Sequence, residues 1–175
     1  MESDAAYAIL EPYFEAAREV YLEYSEQRGL RVKGIRQVRL ECRDDMHDSP
    51  RHFAGASEDG NLIAFAPQMV DLPEDTVAAI LAHEFGHIVD FLNPGRFHCD
   101  VEERKLIFLP EEDEGERGER VRVARLRQWR KRDHHAVELT ADLIAEQAIG
   151  KRIGYSGPCR LQGFSRGVPR PPHLR

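Results

Sequence analysis

The segment "VAAILAHEFGHIVDFLN", Val77 to Asn93, is an apolar run broken by His83, Glu84 and His87. On an α-helix, residues four apart project from the same face about one turn apart. His83 and His87 then present two imidazoles to one point in space. Two neutral imidazoles in that arrangement can hold one divalent ion at bond lengths near ~2 Å. Glu84 falls to one side of that point. It is badly placed as a ligand there and well placed to take a proton from water on the ion, which is the physical content of an HExxH motif. Zinc suits this chemistry because it lowers the pKa of its water toward roughly 7. Gly86, among these residues, permits close approach of another element. The competing reading is an amphipathic helix with a polar edge.

A catalytic zinc site takes three protein ligands and keeps a further position open. His98 is one candidate for the third ligand, but the helix-stopping Asn93-Pro94-Gly95 precedes it and it reads as a loop residue. The better candidate lies in "VELTAD", where Glu138 and Asp142 are four apart on a second apolar helix. Acids on such a helix need partners. Glu138 is assigned as the ligand. Asp142 is assigned as the acceptor for a ligand histidine's free N–H, the usual outer partner of a metal-bound imidazole. The alternative is that both acids belong to a solvated stripe with Glu146.

"HEFGH" followed by "ELTAD" in a later helix resembles the gluzincin metallopeptidases, in which an active-site helix carries HExxH and a glutamate helix carries ExxxD or a close variant. A metzincin would need Gly and His at the positions held here by Asp90 and Asn93. In size and layout the chain is most similar to compact bacterial and phage gluzincins, the ImmA/IrrE type and the minigluzincins among them. The resemblance covers roughly residues 35–95 and 133–150. The 50 residues between His87 and Glu138 exceed the usual separation, and a charged insertion at about 110–132 accounts for the excess.

The resemblance implies a zincin-like α+β fold: an N-terminal helix, a small three-stranded and mostly antiparallel sheet, the HExxH helix and the glutamate helix. It also implies that the strand before the active-site helix, "NLIAFAP" with Leu62, Ile63, Ala64 and Phe65, is an exposed edge that receives the substrate backbone. The implied activity is zinc-dependent hydrolysis of peptide bonds by water that Glu84 activates, with one Zn2+ held by His83, His87 and Glu138. An electrophile for the tetrahedral oxyanion is expected among His134, His135 and Tyr155. His135, at the start of the glutamate helix, is taken for that role. The implied substrate is an intracellular protein cut internally, possession of a regulatory target included. The rival is a catalytically silent zincin-fold protein that uses metal for structure and binds partners through its edge strand or basic tail.

These residues need elements to position them. Residues 4–28 read as a helix with Ala5, Ile9, Tyr13, Ala16 or Ala17, Val20 and Tyr24 on its apolar stripe, kinked or started late by Pro12. "IRQVRLECR" alternates as a half-buried strand over 35–42. "RHFAGASEDGNLIAFAP" reads as a hairpin with strands at 52–56 and 61–66. The HExxH helix runs from Pro73 to the Asn-Pro-Gly stop, with Glu74 and Asp75 at the positive end of its dipole. The acidic-then-basic stretch 111–132 reads as a solvated loop or exposed helix. Residues 133–150 form the glutamate helix, with Asp133 as N-cap and Gly150 as C-cap.

Composition bounds the rest. The 175 residues read as one domain over 1–150 followed by a basic, Gly/Pro-rich tail over 151–175. A net charge of -6 argues against bulk nucleic-acid binding. The basic tail or the 111–132 segment could dock a partner. No apolar run is long enough for a bilayer, and acids occupy the N-terminus where a signal peptide would be basic. Cys42, Cys99 and Cys159 read as reduced thiols of a cytoplasmic protein. Cys159 reads as a plain tail cysteine, with blockage of the open zinc position as the alternative.

Overall fold

A computed structural model describes residues 3–48, 53–150, 154–155 and 161–162. Its centre is helix α3, Glu74–Leu92, the segment that carries His83, Glu84 and His87. Pro73 is the N-cap and its carbonyl accepts the amides of Thr76 and Val77. Asn93 stops the helix: its side chain donates to Val89 O at 2.8 Å and accepts from Arg31 N at 3.0 Å. The apolar residues of α3 are almost wholly buried, with Ala79, Leu81, Phe85, Ile88 and Val89 each at 0% exposure.

Helix α1, Ser3–Gln27, packs along α3 and continues through Pro12 without interruption. Its buried stripe is Ala6, Leu10, Tyr13, Phe14, Ala17, Tyr21 and Tyr24. Tyr13, Ala17 and Tyr24 are buried as expected, whereas Ala5 is exposed and Ile9 is 44% exposed. The aromatic rings decide the phase. Phe14 and Tyr21 lie 5.2 and 5.5 Å from the Phe85 ring, and Tyr21 donates to Ala82 O at 2.5 Å. Burying those two rings outweighs burying Ile9 and Val20.

Residues expected to begin the first strand form instead a short helix, α2, Val32–Gln37, which buries Ile35; strand β1 is confined to Arg39–Cys42. A 3-10 turn, Asp44–Asp48, leads toward β2, Ala54–Ala56, and β3, Leu62–Phe65. The sheet order is β1-β3-β2, with β1 parallel to β3 and β2 antiparallel to it. The sheet is therefore three-stranded but mixed, not mostly antiparallel. Leu62, Ile63, Ala64 and Phe65 form its central strand, not an exposed edge, and all four are buried. A strand covered on both faces reads as a continuous apolar run, which is what "LIAF" is. Of the two outer strands, β2 is the one packed against α3, and β1 lies against α1.

After α3 the chain forms a hairpin that the sequence reading did not include. Strand β4, Phe97–Asp100, pairs antiparallel with β5, Lys105–Phe108. His98 thus lies on a strand. The turn places Arg104 at φ 51, and Arg104 reaches Glu146 through two hydrogen bonds at 3.1 and 2.6 Å. Helix α4, Glu116–Arg130, follows; it is exposed along most of its length. Helix α5, His134–Ile149, then packs against α3. Asp133 caps it by accepting from Ala136 N at 2.8 Å, and Gly150 ends it at φ 72. Strands β6, Gly154–Tyr155, and β7, Leu161–Gln162, pair antiparallel. The chain is α+β, and among the described residues no helix is long and apolar enough to cross a membrane.

Candidate metal centre

The helices α3 and α5 approach so closely that a Cβ on Gly86 would lie 2.3 Å from Ala141 O. That contact sets the height at which α5 meets the two histidines. It places Glu138 beside them, one turn before Ala141 on α5. His83 Nε2 lies 3.0 Å from His87 Nε2 and 3.1 Å from Glu138 Oε2; His87 Nε2 lies 3.3 Å from Glu138 Oε1. Among the described residues, His83, His87 and Glu138 form the group of donors that can hold a metal ion.

The spacing of these atoms argues for a cation. Two imidazole nitrogens and a carboxylate facing one another hold more lone pairs than protons. Ligand atoms around a tetrahedral ion with ~2.05 Å bonds lie about 3.3 Å apart, which follows from tetrahedral geometry alone. The imidazole nitrogens are 3.0 Å apart, each lies 3.1 or 3.3 Å from a different oxygen of the Glu138 carboxylate, and one ligand atom from each of the three residues lies within 4.8 Å of the others. The residues present can therefore hold a metal ion.

Both helices also orient the donors. His83 Nδ1 lies 2.7 Å from Asp142 Oδ1, so its N–H donates to that carboxylate and leaves Nε2 facing Glu138. Burial works against protonation of His83. The hydrogen bonds to Asp142 and Glu138 outweigh it and push the imidazole up to about 10. Burial likewise works against ionisation of Glu138, and its contacts with His83 and His87 more than reverse this, holding the carboxyl far below the usual range. A cation held by these atoms would need the imidazole nitrogens deprotonated, so its binding would release protons.

The two imidazoles are held differently. His87 Nδ1 is buried and has no hydrogen-bond partner among the described residues. Its ring is held by stacking on Phe91, with centroids 5.5 Å apart and planes 21° apart. Asp142→Ala removes the partner of His83 alone. The expected result is about 10- to 100-fold weaker zinc affinity, measured by competition with a chromophoric chelator.

Glu84 is 7% exposed, one residue along α3 from His83, and its carboxylate makes no hydrogen bond among the described residues. The solvated-stripe alternative does not hold: Asp142 is buried on His83 and Glu146 is engaged by Arg104. His135 is exposed and has no polar contact with the cluster among the described residues. Its neighbour His134 comes nearer, with Nδ1 3.9 Å from Glu138 Oε1, although it is 87% exposed. An i,i+4 neighbour sits about 40° from Glu138 around the helix and an i,i+3 neighbour about 60° on the other side. The Tyr155 side chain and Cys159 lie outside the described residues, as do the tail residues 163–175. Cys42 and Cys99 are free cysteines.

A second polar cluster lies next to the first and was not anticipated. Asp90, 1% exposed on α3, accepts from Trp129 Nε1 at 3.0 Å and from Arg132 Nη2 at 2.6 Å. A charged residue in the last apolar turn of α3 was the signal in the sequence, since a buried acid needs a partner.

Comparison of the chain with protein-family models, with curated proteins and with solved structures finds no match.

Proposed function

We propose that the chain is a zinc-dependent metallopeptidase with a zincin-like fold of the gluzincin type. The observation that carries this reading is the convergence of His83, His87 and Glu138 at metal-ligand spacing, with Glu84 buried one residue from His83. A donor set of two histidines and one glutamate is that of known catalytic zinc sites. A carboxylate beside that set has no structural use and does have a chemical one.

A bound zinc ion would supply Lewis-acid polarisation of the scissile carbonyl and a lowered pKa for water. Glu84 accepts a proton from the attacking water and passes it to the leaving nitrogen as the C–N bond breaks. Asp142 holds His83 in the tautomer that leaves Nε2 toward the ion. Burial of His83, Glu84 and His87, each 7% exposed, keeps bulk water from competing at these groups.

The substrate backbone is proposed to add to the outer edge of β2. Phe53 O accepts from Ala66 N, and Ser57 N donates to Leu62 O, both toward β3. By antiparallel alternation Gly55 also faces β3, so the N–H and C=O groups of Ala54 and Ala56 point away from it, to a side where no strand pairs with β2 among the described residues. An extended peptide can pair with those groups. Ala56→Pro deletes one outward donor at a position where an edge strand tolerates proline. It is expected to lower kcat/KM by about 3- to 10-fold with zinc content unchanged, the loss of a single backbone hydrogen bond. An intracellular protein cut internally is the proposed substrate class, and the free thiols Cys42 and Cys99 suit a reducing, cytoplasmic setting.

The test is to incubate the zinc-loaded protein with a proteome-derived peptide mixture and to read new termini by mass spectrometry. Cleavage that chelation abolishes and zinc restores supports the proposal. Identical termini with and without zinc would count against it.

A further inference from the structure

We infer that Arg132, in the link between α4 and α5, is a positioning residue that sets the metal ligands of both helices at once. Its guanidinium, on a side chain 12% exposed, donates to acceptors on three elements. Nη2 donates to Asp90 Oδ2 on α3 at 2.6 Å, Nη1 to Thr140 Oγ1 on α5 at 3.3 Å, and Nε to Trp129 O on α4 at 3.0 Å. Asp90 is three residues past His87, and Thr140 is two residues past Glu138. One planar cation therefore ties the strand of helix that supplies two ligands to the one that supplies the third.

The His83–Asp142 hydrogen bond and the Arg104–Glu146 pair hold α5 beyond Ala141, away from Glu138, and of these anchors the nearest to Glu138 is the Gly86–Ala141 contact. Glu138 lies about 4.5 Å along the axis from that contact, so a tilt of ~15° moves it by roughly 1 Å. Metal–ligand distances tolerate about 0.2 Å. On the Glu138 side of that contact, the Asp90–Arg132–Thr140 bridge adds a further attachment.

The same cluster reaches His87 by a second route. His87 Nδ1 has no hydrogen-bond partner among the described residues and its ring stacks on Phe91. Phe91 in turn meets Trp129 edge-on, with centroids 6.4 Å apart, and Arg132 lies over that indole at 4.9 Å. Trp129 donates its Nε1–H to Asp90 as well. Packing from this cluster orients the His87 ring, without the hydrogen bond that Asp142 gives His83.

The inference rests on the metal-site reading and not on peptidase activity, so its test reads metal binding. Zinc affinity and the visible spectrum of the Co2+-loaded protein are measured for the wild type, for Arg132→Lys and for the double variant Asp90→Leu with Arg132→Met. The double variant removes both members of the buried charge pair and leaves only the half-buried Trp129 indole N–H without its acceptor, so its fold is expected to survive. Arg132→Lys keeps a charge for Asp90 but cannot also span to Thr140.

The expected result is about 10- to 100-fold weaker zinc binding in the double variant, with an altered Co2+ spectrum and wild-type far-UV circular dichroism. Arg132→Lys is expected to fall between the two. If both variants bind zinc within about 2-fold of the wild type, which is within the usual scatter of such effects, Arg132 is merely structural and the inference is wrong. If the wild type itself binds no zinc, the metal-site reading fails and takes the inference with it.

Discussion

Glu84→Gln is expected to cut peptide-bond hydrolysis by about 10²- to 10⁴-fold while leaving zinc affinity within a few-fold of the wild type. The two effects separate because Glu84 is not among the three convergent donors. Its carboxylate is 7% exposed on the histidine helix and makes no hydrogen bond among the described residues. Glutamine keeps the shape and loses the base, so the packing of α3 has no reason to change. The measurement is kcat/KM on a peptide identified from the mixture digest, alongside a zinc titration of the same preparation. Wild-type turnover by Glu84→Gln would remove Glu84 from the mechanism. Loss of zinc together with activity would make it a ligand or a support, not a base.

Gly86→Ala has the largest expected effect on the fold. The added methyl would meet Ala141 O at 2.3 Å, with Ala141 C and Cα both at 3.0 Å. These are backbone atoms inside a helix, so no side-chain rotation relieves the clash. Helix α5 must move away from α3, and Glu138 and Asp142 move with it. Overpacking of a core costs about 1–3 kcal/mol, and the backbone contact places this substitution at the upper end. For a chain of this size that is a fall in Tm of roughly 6–12 °C. Zinc affinity is expected to drop by more than about 10-fold, because both the ligand and the partner of His83 are displaced. Calorimetry with and without zinc checks both parts. An unchanged Tm and an unchanged zinc-induced shift would mean that the two helices do not pack at Gly86.

The chemistry was legible in the sequence because it sits on regular helices. His83 and His87 at i,i+4 and Glu138 and Asp142 at i,i+4 need only helical periodicity to be placed on common faces, and the caps Pro73, Asp133 and Gly150 mark where those helices begin and end. Strand order was not legible. A run such as Leu62–Phe65 says that a strand is buried, and hairpin logic says which strand is its neighbour. Neither says that β1 closes the other side. The small residues Ala54, Gly55 and Ala56 carried no pattern that marked them as the edge. The β4–β5 hairpin was missed because its turn uses Arg104 at positive φ where glycine or asparagine would have signalled it. Helix α1 was found with Tyr13, Ala17 and Tyr24 on its buried face, but Phe14 and Tyr21 were missed, since their partner ring Phe85 lies some sixty to seventy residues away. The Asp90–Trp129–Arg132 cluster has the same character. Its members come from α3, α4 and a link, and only the assembled fold shows that a basic segment ends on a buried acid.

The central claim is that one zinc ion is held by two imidazoles from α3 and one carboxylate from α5. A crystal structure of the zinc-loaded protein, with the ion located by anomalous scattering at the zinc edge, tests it most directly. The account predicts a single ion within about 2.0–2.2 Å of His83 Nε2, His87 Nε2 and a Glu138 carboxylate oxygen, with no fourth protein ligand. An ion bound elsewhere, a shell that omits Glu138, or a shell closed by a fourth side chain would contradict it.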